Sequence, residues 1–357
     1  MVKVSRKTMK KEIQIGNKMI GGGNPVLIQS MTNTNTIDVH ATTEQIKSLE
    51  KVGCEAVRIA IPDEESANKI PEIKKMITIP LIADIHFDYK LALKSIEKGI
   101  DKLRLNPGNI GADWKVKEVA EAARDNNIPI RVGVNWGSVP EKLKKQDKPE
   151  KIMAELAEKE IQILEKTNFY QIVVSLKASS VSLMIDANRY LSERCDYPLH
   201  LGVTEAGLPA EGSIKSAIGI GTLLSEGIGD TIRVSLTGNP IQEIPIAKSI
   251  LEALNLREFG GVKIISCPTC ARTRIDVESI AREVNIRLSE IDDDITVAIM
   301  GCEVNGPGEA READIGIAGG KGYGILFEKG KVKVRIDEKN MIDDFVGRVK
   351  NYLKNRD

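Results

Sequence analysis

The feature that most constrains the fold is an alternation of eight short β-rich runs with helical stretches over the first 240 residues or so. Between the runs, segments such as 43–53 and 90–99 repeat apolar residues at intervals of three and four, and each ends in glycine. This spacing is typical of amphipathic helices with glycine C-caps. Repeated βα units of this kind predict a parallel sheet. The runs are residues 25–31, 56–61, 80–85, 101–108, 129–135, 170–178, 198–207 and 230–236.

Eight units in about 240 residues match a closed (β/α)₈ barrel, the TIM barrel, in both count and length. An open doubly wound sheet is the competing fold, but it usually has fewer strands and a glycine-rich phosphate loop after the first strand. Here the segment GGGNP at 21–25 precedes the first run. We therefore predict an α/β TIM barrel over residues 1–245, with a hairpin near 12–20 that covers the barrel floor.

The pattern changes in the last third of the chain, where the runs are no longer separated by regular helices. Strands are predicted at 262–266, 295–300 and 313–320, followed by a hairpin at 323–336. An apolar face at 276–290 predicts a helix. We expect a small α+β domain over residues 246–357.

Cations and hydrogen-bonding groups interrupt the apolar runs near the point where each strand ends. Residues two apart share one face of a strand, and TIM-barrel chemistry is located at the C-terminal strand ends. Because burying unpaired cations costs several kcal/mol each, their convergence predicts a polyanion, and a diphosphate suits the planar fork of arginine. Singly, each arginine could instead be a salt-bridged structural residue. The predicted substrate-binding residues are Arg58, His86, Arg104, Asn106, Arg131, Asn135, Lys177, Arg233 and Ser235, with Asp84 and Glu205 nearby.

Three cysteines fall close together late in the chain. Cys267 and Cys270 form CPTC, and Cys302 follows the run at 295–300. A structural zinc site would need a fourth Cys or His ligand, and none lies nearby. A [4Fe–4S] cluster with one non-cysteine ligand fits better, and Glu309 in the turn GPGE is the nearest candidate. Structural zinc and a redox-active CxxC disulfide remain alternatives.

Composition limits the partners that the chain can have. Lys plus Arg (51) balances Asp plus Glu (51), so no global field favours nucleic acid or a membrane surface. No apolar run approaches the 18 or so residues of a membrane span, and the N-terminus lacks the apolar core of a signal peptide. Five cysteines in a chain of this length do not predict a disulfide framework. We expect a cytoplasmic protein.

The cysteine segments SCPTCARTRID and MGCEVNGPGEAREADIGIAGG resemble the cluster signature of the 4-hydroxy-3-methylbut-2-enyl diphosphate synthase family of the non-mevalonate isoprenoid pathway. The segments IQSMTNT, ADIHF, RLNPGN, RVGVN, VSLKAS, GVTEAG and RVSLTG also resemble the barrel motifs of that family. The likeness covers nearly the whole chain and matches the compact two-domain bacterial form. Ala271 stands where the family usually has glycine.

The resemblance implies reductive ring opening of 2-C-methyl-D-erythritol 2,4-cyclodiphosphate, with two electrons and loss of water. It implies that Cys267, Cys270, Cys302 and Glu309 ligate a [4Fe–4S] cluster, and that the nine barrel residues above bind the diphosphate. Glu205 would be the acid/base residue, and Asn305 would lie beside the substrate. A ferredoxin or flavodoxin would donate electrons to a homodimer whose active site is shared between subunits.

Two other functions stay open from the sequence alone. The first is a zinc-stabilised TIM-barrel enzyme that acts on phosphorylated sugars without redox chemistry. The second is a non-catalytic iron–sulfur electron carrier whose barrel only binds a ligand.

Overall fold

The computed structural model describes residues 10–303 and 310–356. The chain divides into two compact units, Met1–Glu258 and Phe259–Asp357, and each is described by itself. None of the helices in the described residues combines the length and the apolar character needed to span a membrane.

The first unit is built from a small hairpin, eight parallel strands and the helices that connect them. The strands are β1 Ile13–Ile15, β2 Lys18–Ile20, β3 Leu27–Met31, β4 Ala56–Ala60, β5 Leu81–Asp84, β6 Lys102–Arg104, β7 Ile130–Asn135, β8 Ile172–Lys177, β9 His200–Leu201 and β10 Thr231–Ile232. The helices are α1 Val39–Lys51, α2 Glu64–Asn68, α3 Ile70–Lys75, α4 Tyr89–Glu97, α5 Pro107–Ile110, α6 Asp113–Asp125, α7 Glu141–Lys144, α8 Pro149–Glu165, α9 Val181–Ser192, α10 Pro209–Ser225 and α11 Glu243–Ala253.

Strands β3 to β10 form one sheet in the order β8-β7-β6-β5-β4-β3-β10-β9. A parallel bridge between Val174 and Leu199 joins the two outer strands of that order, so the sheet closes into a barrel. Each predicted run contains one of the strands, which confirms the TIM-barrel prediction. The ladders of β9 and β10 are shorter than predicted, although the Arg233 N–H still donates to the Leu201 carbonyl at 2.9 Å.

The hairpin β1–β2 covers the amino-terminal end of the barrel. Ile15 and Ile20 are fully buried, and Gly16 at the turn has φ +54°, in the left-handed region that glycine adopts without strain. The apolar residues of the hairpin form one cluster with side chains from the barrel strands: Ile13, Ile15, Ile20, Leu27, Ala56, Ile82 and Val173. The hairpin therefore covers the floor of the barrel, as the sequence predicts.

Helix α11 follows the last barrel strand and is the eighth helix of the (β/α)₈ pattern. It buries Ile244, Ala247 and Leu251 against β3 and α10. The boundary expected at 245/246 falls inside this helix, whereas the first compact unit extends to Glu258. The helix lies with the barrel because its apolar face has its packing partners there.

The described part of the second unit contains a five-stranded sheet and two α-helices. Its strands are β11 Val262–Ser266, β12 Ile295–Met300, β13 Ile315–Gly319, β14 Tyr323–Glu328 and β15 Lys331–Asp337, and its helices are α12 Val277–Leu288 and α13 Met341–Lys354. The strands run in sequence order across the sheet. The pairs β11–β12 and β12–β13 are parallel, and the last two pairs are antiparallel. Because β11 and β12 are parallel neighbours, their carboxyl ends meet at one edge.

Candidate active site

A polar cavity opens at the carboxyl ends of the barrel strands, where the sequence predicts an anion site. It contains eight of the nine predicted substrate-binding residues. The residues that line it are Arg58, Asp84, His86, Arg104, Arg131, Gly133, Val134, Asn135, Ser175, Lys177, Thr204, Arg233 and Ser235. The structure thus brings together residues from seven different strands or the loops that follow them, as strand parity predicts.

Asp84 joins two of the arginines of this cavity. Its carboxylate lies 3.4 Å from Arg58 Nε and 3.2 Å from Arg104 Nη1, and Arg104 Nη1 also lies 3.4 Å from His86 Nδ1. Burial raises the pKa of Asp84, but attraction to Arg58, Arg104 and Arg131 outweighs burial and holds that pKa below its ordinary value. Asp84 is therefore ionised and fixes the two guanidinium groups.

A second carboxylate, Glu243, holds Arg233, which directly follows β10. Arg233 Nε lies 3.4 Å from Glu243 Oε2, and the same carboxylate accepts hydrogen bonds from Ser30 Oγ at 2.8 Å and from the Leu236 N–H at 3.2 Å. Glu243 lies at the start of α11 and is buried. Ion pairing of this kind fixes the side chain of Arg233 on the wall of the cavity.

Two further cations have no carboxylate partner within the described residues. Arg131 is almost fully buried, and its Nη1 donates to Ser175 Oγ at 2.9 Å, while its Nε and Nη2 have no hydrogen-bond partner in the structure. Burial and the neighbouring arginines hold the pKa of Arg131 and of Lys177 well below their ordinary values. Such groups cost free energy unless an anion binds them.

The charge balance of the cavity favours a polyanion. Five cations (Arg58, Arg104, Arg131, Lys177 and Arg233) face two carboxylates (Asp84 and Glu243), an excess of three positive charges when all are ionised. Burial lowers the pKa of Arg58 to about 10, partly offset by Asp84, so this arginine is charged at neutral pH. An anion with several negative charges would satisfy the excess.

Asn106 and Glu205 do not line the cavity. The amide of Asn106 donates to the Gly133 carbonyl at 2.7 Å and accepts from the Gly133 N–H at 3.0 Å, so its polar atoms fix the backbone of β7. Glu205 is exposed and follows the cavity residue Thr204. Its φ of +53° lies in the left-handed region, which is uncommon for a non-glycine residue and recurs at functional positions.

The side chains of the site that the sequence did not predict include Glu243, Ser175 and Thr204. Glu243 was not considered because no strand pattern links it to Arg233, ten residues earlier. Thr204 precedes Glu205 and shares the strand face of His200, so the parity argument applied to the other strands would have found it.

The three late cysteines line one pocket of the second unit, together with Pro268, Arg272, Thr273, Met300 and Gly301. Cys267 directly follows β11, and Cys302 follows β12. The Gly301 N–H donates to Cys267 Sγ at 3.0 Å. Hydrogen bonds from the backbone of Arg272, together with that residue's side chain and charge, lower the pKa of the exposed Cys270 thiol. The lowered pKa favours the thiolate of Cys270, the form in which cysteine binds iron or zinc.

The chain as described holds all five cysteines as free thiols. Within residues 10–303 and 310–356, no three His, Cys, Asp or Glu side chains are placed to hold a metal ion as they stand. Asn305 and Glu309 lie outside the described residues, so their predicted roles remain predictions.

Two family models together cover most of the sequence. The GcpE TIM-barrel domain matches residues 10–248, and the GcpE protein C-terminal domain matches residues 263–351. The chain belongs to the GcpE family. The family resemblance predicted from the motifs is confirmed, and the two GcpE domains correspond to the barrel and the mixed sheet described above.

Full-length relatives and solved structures agree with this assignment. A protein from Caldanaerobacter subterraneus subsp. tengcongensis named 4-hydroxy-3-methylbut-2-en-1-yl diphosphate synthase (flavodoxin) is 55% identical over 357 residues, which cover 99% of each chain. A protein of the same name from Fusobacterium nucleatum subsp. nucleatum is 54% identical over 346 residues, covering 96% of this chain and 98% of its own. At the level of fold alone, the dihydropteroate synthase of Stenotrophomonas maltophilia matches with a TM-score of 0.53 and 10% identity over 68% of this chain and 98% of its own.

Proposed function

We propose that this GcpE-family chain reduces 2-C-methyl-D-erythritol 2,4-cyclodiphosphate to 4-hydroxy-3-methylbut-2-enyl diphosphate, with two electrons from a flavodoxin. Relatives at 54–55% identity over nearly the whole chain have names that state this product and this electron donor. The structural observation that supports the proposal is the excess of three positive charges at the barrel mouth. A diphosphate is the anion that best matches it.

The cations divide into two groups by their role. Arg58, Arg104 and Arg233 already pair with carboxylates, so they are held in fixed positions before the substrate arrives. Arg131 and Lys177 have no carboxylate partner among the residues that the structure describes, and the free Nε and Nη2 of Arg131 would donate to diphosphate oxygens. Fixed donors of this kind stabilise the negative charge that develops on the phosphate oxygen when the C–O bond breaks.

We propose that Cys267, Cys270 and Cys302 hold a [4Fe–4S] cluster and that Glu309 is its fourth ligand. The three thiols line one pocket, the Gly301 N–H donates to Cys267 Sγ, and the pKa of Cys270 is lowered, which suits iron–sulfur ligation. The Glu309 assignment rests on the sequence. When bound, the cluster would supply the electrons for the reduction.

The reaction consumes two electrons and two protons, breaks one C–O bond to phosphate and releases one hydroxyl as water. We propose that Glu205, which follows the cavity residue Thr204, donates the proton to the departing hydroxyl. Asn305 is proposed to lie beside the substrate on the strength of its motif alone. Asp84 stays ionised beside Arg58 and Arg104 and keeps these donors oriented.

Two further properties are proposed with the function. A homodimer would share its active site between subunits, as the family resemblance implies. The free thiols of the described chain are compatible with work in the reducing cytoplasm.

The test is turnover by anaerobically purified protein with the cyclodiphosphate and a chemically reduced flavodoxin. The expected result is stoichiometric 4-hydroxy-3-methylbut-2-enyl diphosphate, with iron and sulfide in the protein. About one zinc per chain and no sulfide would favour the zinc-stabilised barrel. Iron and sulfide without turnover would favour the electron carrier, and a parallel assay with reduced ferredoxin tests donor preference.

A further inference from the structure

The polar cavity at the carboxyl ends of the barrel strands is called the cation cavity below. A second polar layer lies beneath it, inside the barrel. Lys102 and His200 are completely buried, and Gln29 is 1% exposed. His200 Nδ1 lies 2.7 Å from Thr231 Oγ1. Within the described part of the chain, its Nε2, both amide atoms of Gln29 and the Nζ of Lys102 have no hydrogen-bond partner. Because buried polar groups are nearly always paired, this layer needs an explanation.

Lys102 is placed by its strand register. It lies on β6 two residues before Arg104, so the two side chains share the interior face. Lys102 is level with Ile82 on β5, whereas Arg104 is level with Asp84 on β5 and with Arg131 on β7. Lys102 therefore lies one layer beneath the residues that line the cavity.

The charged groups that face Lys102 are cations. Burial lowers the pKa of its amine well below the ordinary value, and Arg131 and Arg58 lower it further. The nearby His200 also has a pKa well below its ordinary value because of burial and the surrounding cations, Lys102 among them. The carboxylate of Asp84 is taken by Arg58 and Arg104, and among residues 10–303 and 310–356 no carboxylate pairs with Lys102.

We propose that Lys102 is an uncharged amine while the cation cavity is empty, and that it takes up one proton when a diphosphate occupies the cavity above it. This inference rests on the proposed function, since it assigns Lys102 a part in binding that substrate. The bound anion offsets the repulsion from Arg58 and Arg131, and protonation then adds one more cation below the diphosphate. Lys102 is a positioning residue that does not touch the substrate.

The coupling gives substrate binding a pH dependence that Lys102 supplies. Because binding is coupled to proton uptake, the affinity falls as the pH rises above the pKa of Lys102 in the free protein. Lys177 also has a lowered pKa and lines the cavity directly, so any proton that its amine takes up adds to the total. A residue-specific measurement must therefore separate the two amines.

The experiment is NMR of the full-length, anaerobically purified protein with ¹³Cε-labelled lysine at pH 8. The Lys102 signal is assigned by its loss in Lys102→Met and, independently, in Lys102→Arg. Inorganic pyrophosphate and the cyclodiphosphate are then titrated separately, and calorimetry on the same samples measures binding. The expected result is a neutral-amine shift in the free protein that moves to the ammonium position as either ligand saturates the site.

Calorimetry in two buffers of different ionisation enthalpy gives a second readout. Wild-type protein should take up about one proton more per ligand than Lys102→Met, by the charge-state change proposed here. Lys117→Met is the matched control, because Lys117 is an exposed lysine with 64% side-chain accessibility, and its proton uptake should equal wild type.

Three results would overturn the inference. An ammonium signal for Lys102 in the free protein would show that this amine is already charged while the cavity is empty. Calorimetric binding with an unchanged Lys102 signal would show that Lys102 takes up no proton when the diphosphate binds, and would leave the proposed function intact. Absence of binding by both ligands would remove the diphosphate site itself, and the inference with it.

Discussion

Arg131 Nη1 donates to Ser175 Oγ across 2.9 Å, and this is the guanidinium's hydrogen bond to the described protein. Arg131 is nevertheless almost completely buried, with only 2% of its surface exposed. A buried cation with two unused donor atoms is unfavourable in the empty protein and favourable once an anion binds it. The free energy lost in stability is thus recovered in ligand affinity.

Arg131→Met should separate these two effects. We expect the dissociation constant for the cyclodiphosphate to rise roughly 10²- to 10⁴-fold, because two charge-assisted hydrogen bonds of about 1.5–3 kcal/mol each are lost. The free energy of unfolding of the ligand-free protein should rise by about 1 kcal/mol or more. Calorimetry and urea unfolding measure the two quantities. Arg124→Met, at a half-exposed arginine paired with Asp125, is the control, and a ligand-free Arg131→Met less stable than wild type would contradict the account.

Asp84→Asn should destabilise the barrel at neutral pH by about 3 kcal/mol, since it removes the buried carboxylate that pairs with Arg58 and Arg104. The folded pKa of Asp84 lies below its ordinary value, so its stabilisation is present above the unfolded pKa of about 4 and disappears as pH falls through the lower folded value. Urea unfolding followed by tryptophan fluorescence reports on the barrel, because both tryptophans, Trp114 and Trp136, belong to it. The difference between variant and wild type should be smaller at pH 3 than at pH 7. A difference independent of pH would show that Asp84 acts through packing.

Cys270→Ser should lose most of the iron and sulfide and the visible absorption of the cluster, because a serine hydroxyl is a poor substitute for thiolate. Cys195→Ser is the matched control, since Cys195 is a free, partly buried thiol of the barrel unit. Iron and sulfide assays after anaerobic purification measure both variants. Equal iron content in the two variants would remove Cys270 from the ligand set.

Glu205→Gln should retain cyclodiphosphate binding and lose turnover by about 10²- to 10⁴-fold, the usual contribution of a positioned proton donor. Glu205→Gly tests the backbone separately: because φ is +53°, glycine should stabilise the protein by about 1 kcal/mol. Single-turnover kinetics and urea unfolding give the two readouts. Full activity of Glu205→Gln would show that another group donates the proton.

The barrel could be predicted from the sequence because its signal is local and repeated. Each short apolar run specifies one strand, and its eightfold alternation with helices specifies closure. The end of the first unit could not be predicted in the same way, since helix α11 resembles any other amphipathic helix. Its assignment depends on where its apolar face finds partners, which is a tertiary property.

The site was predictable where strand parity determines it. Arg104 and Arg131 were identified because each lies on the same face as a second polar residue of its run. Glu243 was missed because it lies on a helix, outside the strand pattern. Lys102 was missed although it shares the face of Arg104, because a lysine at the start of a strand is usually read as solvent-exposed. Its complete burial follows from barrel closure.

The most direct test of the account is low-temperature EPR of reduced, anaerobically purified protein, recorded with and without the cyclodiphosphate. The account predicts the spectrum of a one-electron-reduced [4Fe–4S] cluster that changes when substrate is added to wild type, and that changes much less at the same substrate concentration in Arg131→Met. A protein that contains zinc and gives no signal, or a cluster spectrum indifferent to substrate at saturating concentration, would contradict it.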